Sequence, residues 1–401
     1  KRLLAGQVYP SPRYNSTGMY LKRHEETISS SVRIPRKIEK MVKMEVMYSV
    51  NVSRDGNMLT EIGKLRQLRK LGVVIDDHDG HLRKLLQVIS DLSGSLRSLS
   101  ITLIGTGSEQ APSSEETSAD CLKQHPKLLE SLSISGVIDK VQLLPLLAIG
   151  QGNRNLAKVT ISGTMLKQED LKKDIAKLHN LCCFRLRHRS YDDEKITFEE
   201  NEFLELKYLI IEGTNMMSII FKQGAAPKIE KIILSFTSTT HIAGIVDLPN
   251  LKELELKGNN NDRKLVACIA GAPHLSRLTL DGTLLDLNEL KILAELPSLR
   301  SLILLQQSCV RSSLNFNNGE FSKLNLLVVN CSNITSISFT DEGAAPKLEK
   351  ITWSFTTKML SLSGICYLPQ LKELELNGKI IPDQVIQDIK EHKNKPIFNH
   401  Q

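Results

Sequence analysis

Aromatic side chains are scarce in this 401-residue chain: Phe, Tyr and Trp together make 4%, with a single Trp. A core built mainly on large rings is therefore excluded, and the apolar interior must come from smaller aliphatic groups used many times. Long hydrophobic runs are missing too. The longest, around 143–149, is broken by Pro145 and falls far short of the roughly 18 apolar residues that a membrane-spanning helix needs. The seven cysteines (Cys121, Cys182, Cys183, Cys268, Cys309, Cys331 and Cys366) are odd in number and show neither C-x-x-C nor Cys/His ligand spacing. That pattern argues against zinc and against a disulfide framework, and reads as reduced thiols in a cytoplasmic protein. No phosphate loop, dinucleotide fingerprint, H-E-x-x-H or G-x-S-x-G element occurs. The segment Asp76-Asp77-His78-Asp79-Gly80-His81 has Gln87 where a calcium loop would need its final Glu, and reads as a solvated turn. No enzyme activity, metal or cofactor is expected.

Leucine fills the place of the missing rings, with 61 copies. The pattern L-x-x-L-x-L, with Ile, Val, Phe or Trp substituting, recurs thirteen times from Leu68/Leu71/Val73 to Leu371/Leu374/Leu376. Successive copies begin 22 to 33 residues apart, and a degenerate fourteenth, Met44/Met47, precedes them. Such spacing is that of leucine-rich repeats. In L-x-L the period of two puts both apolar residues on one face of a short strand. One unit cannot bury that face alone, so units must stack into a parallel sheet, each covering the last. The expected fold is an α/β leucine-rich-repeat solenoid: a curved horseshoe with a parallel sheet on the concave face and short helices and irregular turns on the convex face. Stretches such as Leu285-Asp286-Leu287-Asn288-Glu289-Leu290-Lys291-Ile292-Leu293 supply those helices. Several strands are followed by Gly-Thr or Gly-Asn, as at Gly163-Thr164 and Gly282-Thr283, whose side chains are suited to bonding the backbone of the turn.

A longer repetition overlies the first. Gly224-Ala225-Ala226-Pro227-Lys228 recurs at Gly343-Ala344-Ala345-Pro346-Lys347, and Leu248-Pro249-Asn250-Leu251-Lys252-Glu253-Leu254-Glu255-Leu256 has its counterpart at 368–376. A five-repeat block from about 203–257 onward is thus duplicated near 321–377. The expected organisation is a weakly ordered basic leader or domain remnant at 1–33, a repeat domain at 34–390, and a polar tail at 391–401 that frays. Residues 105–120, rich in Ser, Glu and Gly, read as an exposed loop.

The formal charge is +7, but it is unevenly placed: residues 1–75 hold 15 Lys+Arg and 6 Asp+Glu, leaving 37 against 39 for the rest. A nucleic-acid-binding solenoid would spread its cations along one face, so nucleic acid is not an expected partner. The residues between the inward leucines should instead face outward and form a protein-binding surface. At their centres stand Arg185, Ile210, Ile233, Glu255, Ile303, Val328, Thr352 and Glu375, flanked by Arg187 and Glu253. Aliphatic groups at Ile210/Ile233 and Ile303/Val328 form two patches for a partner, and Arg185 and Arg187 suit a carboxylate or phosphate.

Three stretches carry a resemblance: Glu61-Ile62-Gly63-Lys64-Leu65-Arg66-Gln67-Leu68-Arg69-Lys70-Leu71-Gly72-Val73, the two Gly-Ala-Ala-Pro-Lys turns, and Leu-Pro-x-Leu-Lys-Glu-Leu at Leu248 and Leu368. From about Ile34 to Pro382 the chain resembles the repeat region of plant intracellular coiled-coil nucleotide-binding immune receptors, particularly those of grasses. The resemblance implies a sensing and autoinhibitory role in disease resistance. Its partners would be a pathogen effector or a guarded host protein, together with an upstream nucleotide-binding domain that docks on the basic end. The chain carries neither a coiled coil nor a phosphate loop and begins without Met, as a fragment, truncated paralogue or stand-alone repeat protein would. A substrate receptor of a ubiquitin ligase and a repeat-type enzyme inhibitor are the competing readings; 1–33 is too short and polar for the helical segment the former carries.

Overall fold

The thirteen L-x-L elements become short parallel strands, and what lies between them returns the chain to the next. A computed structural model describes residues 2–4, 37–52, 57–76, 80–104, 122–136, 155–214, 216–236, 241–258, 266–355 and 359–400. The loop expected at 105–120 and nearly all of the leader lie outside the described residues.

The chain divides into two units, Lys1–Tyr191 and Asp192–Gln401. In the first, seven strands pair in parallel and in chain order: Arg2–Leu4, Val46–Asn51, Lys70–Asp76, Ser98–Ile104, Ser131–Ser135, Lys158–Ser162 and Cys183–Arg187. The sheet thus begins within the segment read as a leader, since Arg2–Leu4 pairs with Val46–Tyr48. In the second unit nine strands do the same: Tyr208–Thr214, Lys231–Phe236, Glu253–Lys257, Arg277–Asp281, Ser301–Leu304, Leu326–Val329, Lys350–Ser354, Glu373–Asn377 and Ile397–His400. The last of these falls in the tail expected to fray. Its backbone instead satisfies the otherwise open edge of Glu373–Asn377, while Ile397 stays 66% exposed.

Burial follows the period of two. Within Glu253–Lys257 the leucines Leu254 and Leu256 are 1% and 0% exposed, and the residues between them are half-buried. The returns hold short helices, as expected: Leu287–Ala294 starts at Asp286, whose carboxylate accepts from the Asn288 and Glu289 backbone N–H groups while Glu289 accepts from that of Asp286. They also hold something the L-x-L reading did not anticipate. Lys195–Phe198, Ser218–Phe221 and His241–Ala243 form a second, three-stranded parallel sheet, and Ser313–Phe316, Ser336–Phe339 and Ser361–Ser363 form a third. Six of the ten phenylalanines gather behind these small sheets. Phe198 stacks on Phe221 at 4.8 Å and meets Phe203 edge-on, while Phe316 stacks on Phe339 at 4.9 Å beside Phe321. Two equivalent phenylalanine trios result, in corresponding places of the duplicated sequence.

One buried carboxylate runs against the rest of the packing. Asp174 is 2% exposed, and its Oδ1 has no hydrogen-bond partner. Burial pushes its carboxyl above the usual value, against the opposing pull of Lys173. The folded state therefore holds this proton more tightly than the unfolded chain, and stability falls as pH climbs through the carboxylate range. Asp174→Asn is expected to raise stability at pH 7 by about 1 kcal/mol. In denaturant titrations this gain should vanish below about pH 4, where the unfolded carboxylate is itself protonated. An equal gain at both pH values would mean that the charge is not the cause.

Candidate functional site

The outward residues of the second unit fall into rows, because the strands pair without a register shift from Glu253 onward. The central row runs Ile210, Ile233, Glu255, Thr279, Ile303, Val328, Thr352, Glu375. The structure therefore aligns Ile233 with Ile210 and Val328 with Ile303 as adjacent pairs, all half-buried. Glu253 belongs to the neighbouring row of Lys231, Glu253, Arg277, Ser301, Leu326, Lys350 and Glu373. Arg185 and Arg187 lie in the first unit, on Cys183–Arg187, with Arg185 exposed and Arg187 half-buried. Around them that unit is paved with hydroxyls: Ser98, Ser100 and Thr102 align with Ser131, Ser133 and Ser135, and Ser133 aligns with Thr160 beside Arg185.

The carboxylates of the face are held by its own cations. Glu253 is bracketed by Lys231 at 3.0 Å and Arg277 at 2.8 Å, and Glu255 meets Lys257 at 2.6 Å. Glu375 accepts from the Asn377 amide and from Thr352, with Lys350 at 3.8 Å, and the Asn377 bond leads in holding its carboxyl below the usual value. Sequence reading placed these glutamates on the face but missed their pairing, which for Glu253 and Glu375 brings in cations one repeat away, whereas Glu255 is met by Lys257 of its own strand. These ladders add to a register that the inward leucines set. The aliphatic pairs face outward beside charges that are already paired: Ile233 stands next to Glu255 in the central row, on the same strand as Lys231.

The turns behave as their sequence suggests where they are described. Thr164 and Thr283 donate to the Ser190 and Ser308 carbonyls, at 3.2 and 3.5 Å. Asp76 pairs with His81 at 2.5 Å, both side chains largely covered, so that end of the acidic segment is a packed pair and not a solvated turn; 77–79 lie outside the described residues. Six described cysteines carry free thiols. Cys309 donates to the Cys331 sulfur, which lowers Cys331 to about 5 and raises Cys309. Among the described residues no three His, Cys, Asp or Glu converge as a metal site would, and no helix is long and apolar enough to cross a membrane.

The profile of the family described as "Leucine-rich repeat region" matches residues 27–264 and 234–394. The chain belongs to that leucine-rich repeat family. No curated protein matches it. Among solved structures, this leucine-rich repeat chain is similar to TLR13 in the TLR13–ssRNA13 complex, at 15% identity and a TM-score of 0.54, covering 90% of this chain and 56% of that one. Toll in the Drosophila Toll–Spatzle complex is matched at 11% identity and a TM-score of 0.49, over 90% and 51% of the two chains. A leucine-rich repeat protein of Leptospira interrogans follows at 15% and 0.41, with 92% of each chain covered. The chain thus spans about half the length of the TLR13 and Toll chains. The TLR13 likeness shows the shared leucine-rich repeat solenoid fold alone.

Proposed function

We propose that this leucine-rich repeat chain is a protein-recognition module of plant innate immunity, and that the strand face of its second unit does the recognising. One observation carries the reading: Ile210/Ile233 and Ile303/Val328 stand in register on the outward face, between carboxylates already neutralised by their own lysines and arginines. Aliphatic pairs beside internally satisfied charges suit burial against another protein, since little charge must be desolvated. TLR13 and Toll, named in complexes with an RNA and with Spatzle, lend the general precedent of ligand recognition on this fold. The plant assignment rests on the resemblance of 61–73 and the Gly-Ala-Ala-Pro-Lys turns, and with it come a pathogen effector or guarded host protein as partner and a cytoplasmic location.

The test is affinity capture from pathogen-challenged plant tissue, with wild type compared against Ile210→Glu and Ile303→Glu. Loss of the same captured proteins with both variants, at unchanged circular dichroism, is the expected result. An identical captured set would remove the strand face from the function. Capture of ubiquitin-ligase adaptors in place of immune or pathogen proteins would favour the substrate-receptor reading.

A further inference from the structure

Along one edge of the second unit, the turns leading into the strands carry a different charge pattern from the face. Successive rungs at this edge are Lys207, Glu230, Lys252, Ser276, Arg300, Asn325, Glu349 and Lys372, each joined to the last by a backbone hydrogen bond, as from Ser276 N to Lys252 O at 2.9 Å and from Arg300 N to Ser276 O at 2.8 Å. At both ends of the row the charges are paired: Lys207 with Glu230 at 4.0 Å, Lys228 with Glu205 at 2.5 Å, and Lys372 with Glu349 at 2.9 Å. In the middle they are not. A groove of about 400 Å³ lies there, and its rim holds Lys252, His274, Arg300 and Lys323, all exposed, with no carboxylate among its lining residues. The two carboxylates beside Lys252 are engaged elsewhere, Glu230 by Lys207 and Glu253 by Lys231 and Arg277.

The polar groups on the groove floor are turned inward. Ser276 donates to the Lys252 carbonyl at 3.1 Å, Ser298 to the Pro273 carbonyl at 2.6 Å, and Asn250 to the Pro227 carbonyl at 2.8 Å. These bonds fix the turns and leave the cations as the groups that meet a ligand. Like charges gathered on rigid turns without counter-charges repel one another, and an anion relieves that repulsion.

We propose that this groove binds an extended peptide segment bearing carboxylates or phosphates. Lys252 and Arg300 sit two rungs apart, about 10 Å at the usual strand spacing, and a peptide in the extended polyproline II form advances about 3.1 Å per residue with three residues per turn, which puts side chains i and i+3 on one side. Two anionic groups three residues apart therefore match the pair. A single inorganic ion would reach one cation and leave the others unmet. Successive nucleobases would need a row of aromatic platforms, and the groove offers only the His274 ring. The site lies on the turn edge and stands apart from the strand face of the preceding reading.

Fluorescence anisotropy with labelled decapeptides tests this: one with Glu at positions i and i+3, one with phosphoserine at the same positions, and an uncharged control, beside a ten-nucleotide oligouridylate. Binding of at least one anionic peptide, weakened about tenfold or more by Arg300→Glu and by the milder pair Lys252→Gln/Lys323→Gln, is the expected outcome. Charge reversal at Lys372, already paired, should change it by less than about twofold. Whether the Glu or the phosphoserine peptide binds tighter identifies which anion the groove takes. No binding by either peptide, binding indifferent to Arg300→Glu with the fold intact, or tighter binding of the oligouridylate would each overturn the proposal.

Discussion

Phe316→Ala is expected to cost about 3–5 kcal/mol, at the top of the range for a core truncation. Phe316 is 0% exposed and lies between Phe339, stacked at 4.9 Å, and Phe321 at 5.0 Å. Removing it opens a cavity whose lining is two other rings, which cannot collapse into the space without leaving their own strands. In a stack where each repeat touches only its neighbours the damage stays local. Hydrogen exchange should therefore quicken first in Ser313–Phe316 and Ser336–Phe339, while amides in the first unit keep their protection. Phe316→Leu keeps most of the volume and should cost only about 1–1.5 kcal/mol. Equal losses for Ala and Leu would show that ring stacking, not filled volume, holds this layer.

Gly364→Ala ranks beside it, and the cause is the backbone. A Cβ at Gly364 would sit 1.9 Å from the Phe339 carbonyl oxygen, and one at Gly244 would sit 1.8 Å from that of Phe221. Both residues have positive φ, +74° and +79°. The left-handed conformation alone costs an Ala roughly 1–2 kcal/mol. The collision adds to that, because the atom in the way is a carbonyl fixed in the second-layer sheet. A loss of about 3–5 kcal/mol is expected at either site. Gly271 supplies the control: its φ is also +74°, yet nothing lies within 4 Å of its Cβ position. Gly271→Ala should lose only about 1 kcal/mol. Chemical denaturation of the three variants separates strain from collision, and equal losses at Gly364 and Gly271 would exclude the steric account.

The main strands could be read from the leucines because their signal is redundant. Leu251, Leu254 and Leu256 repeat at Leu371, Leu374 and Leu376, and each is 2% exposed or less. The second-layer strands could not, because Ile196/Phe198 or Ile337/Phe339 give only two inward residues apiece, too few to distinguish a strand from an irregular return. The face was legible in part. The positions of Ile210, Ile233, Ile303 and Val328 follow from the period of two, whereas the Lys231–Glu253–Arg277 bridging depends on which repeats become neighbours and how their long side chains turn. The cationic groove was hidden for the same reason. Lys252 and Arg300 are unremarkable in isolation, and what marks them is that the groove between them has no carboxylate in its lining.

The duplicated block also bears on how the chain reaches its native order. Glu253–Lys257 and Glu373–Asn377 differ in sequence only at their last residue. Until the intervening repeats are in place, the edge of Lys231–Phe236 has two nearly equivalent strands competing to pair with it. A nascent chain resolves that competition by order of synthesis, since the nearer copy emerges first. A denatured chain refolding all at once lacks that ordering, and its refolding traces should carry a slow phase from molecules that skipped a whole block and must undo the pairing.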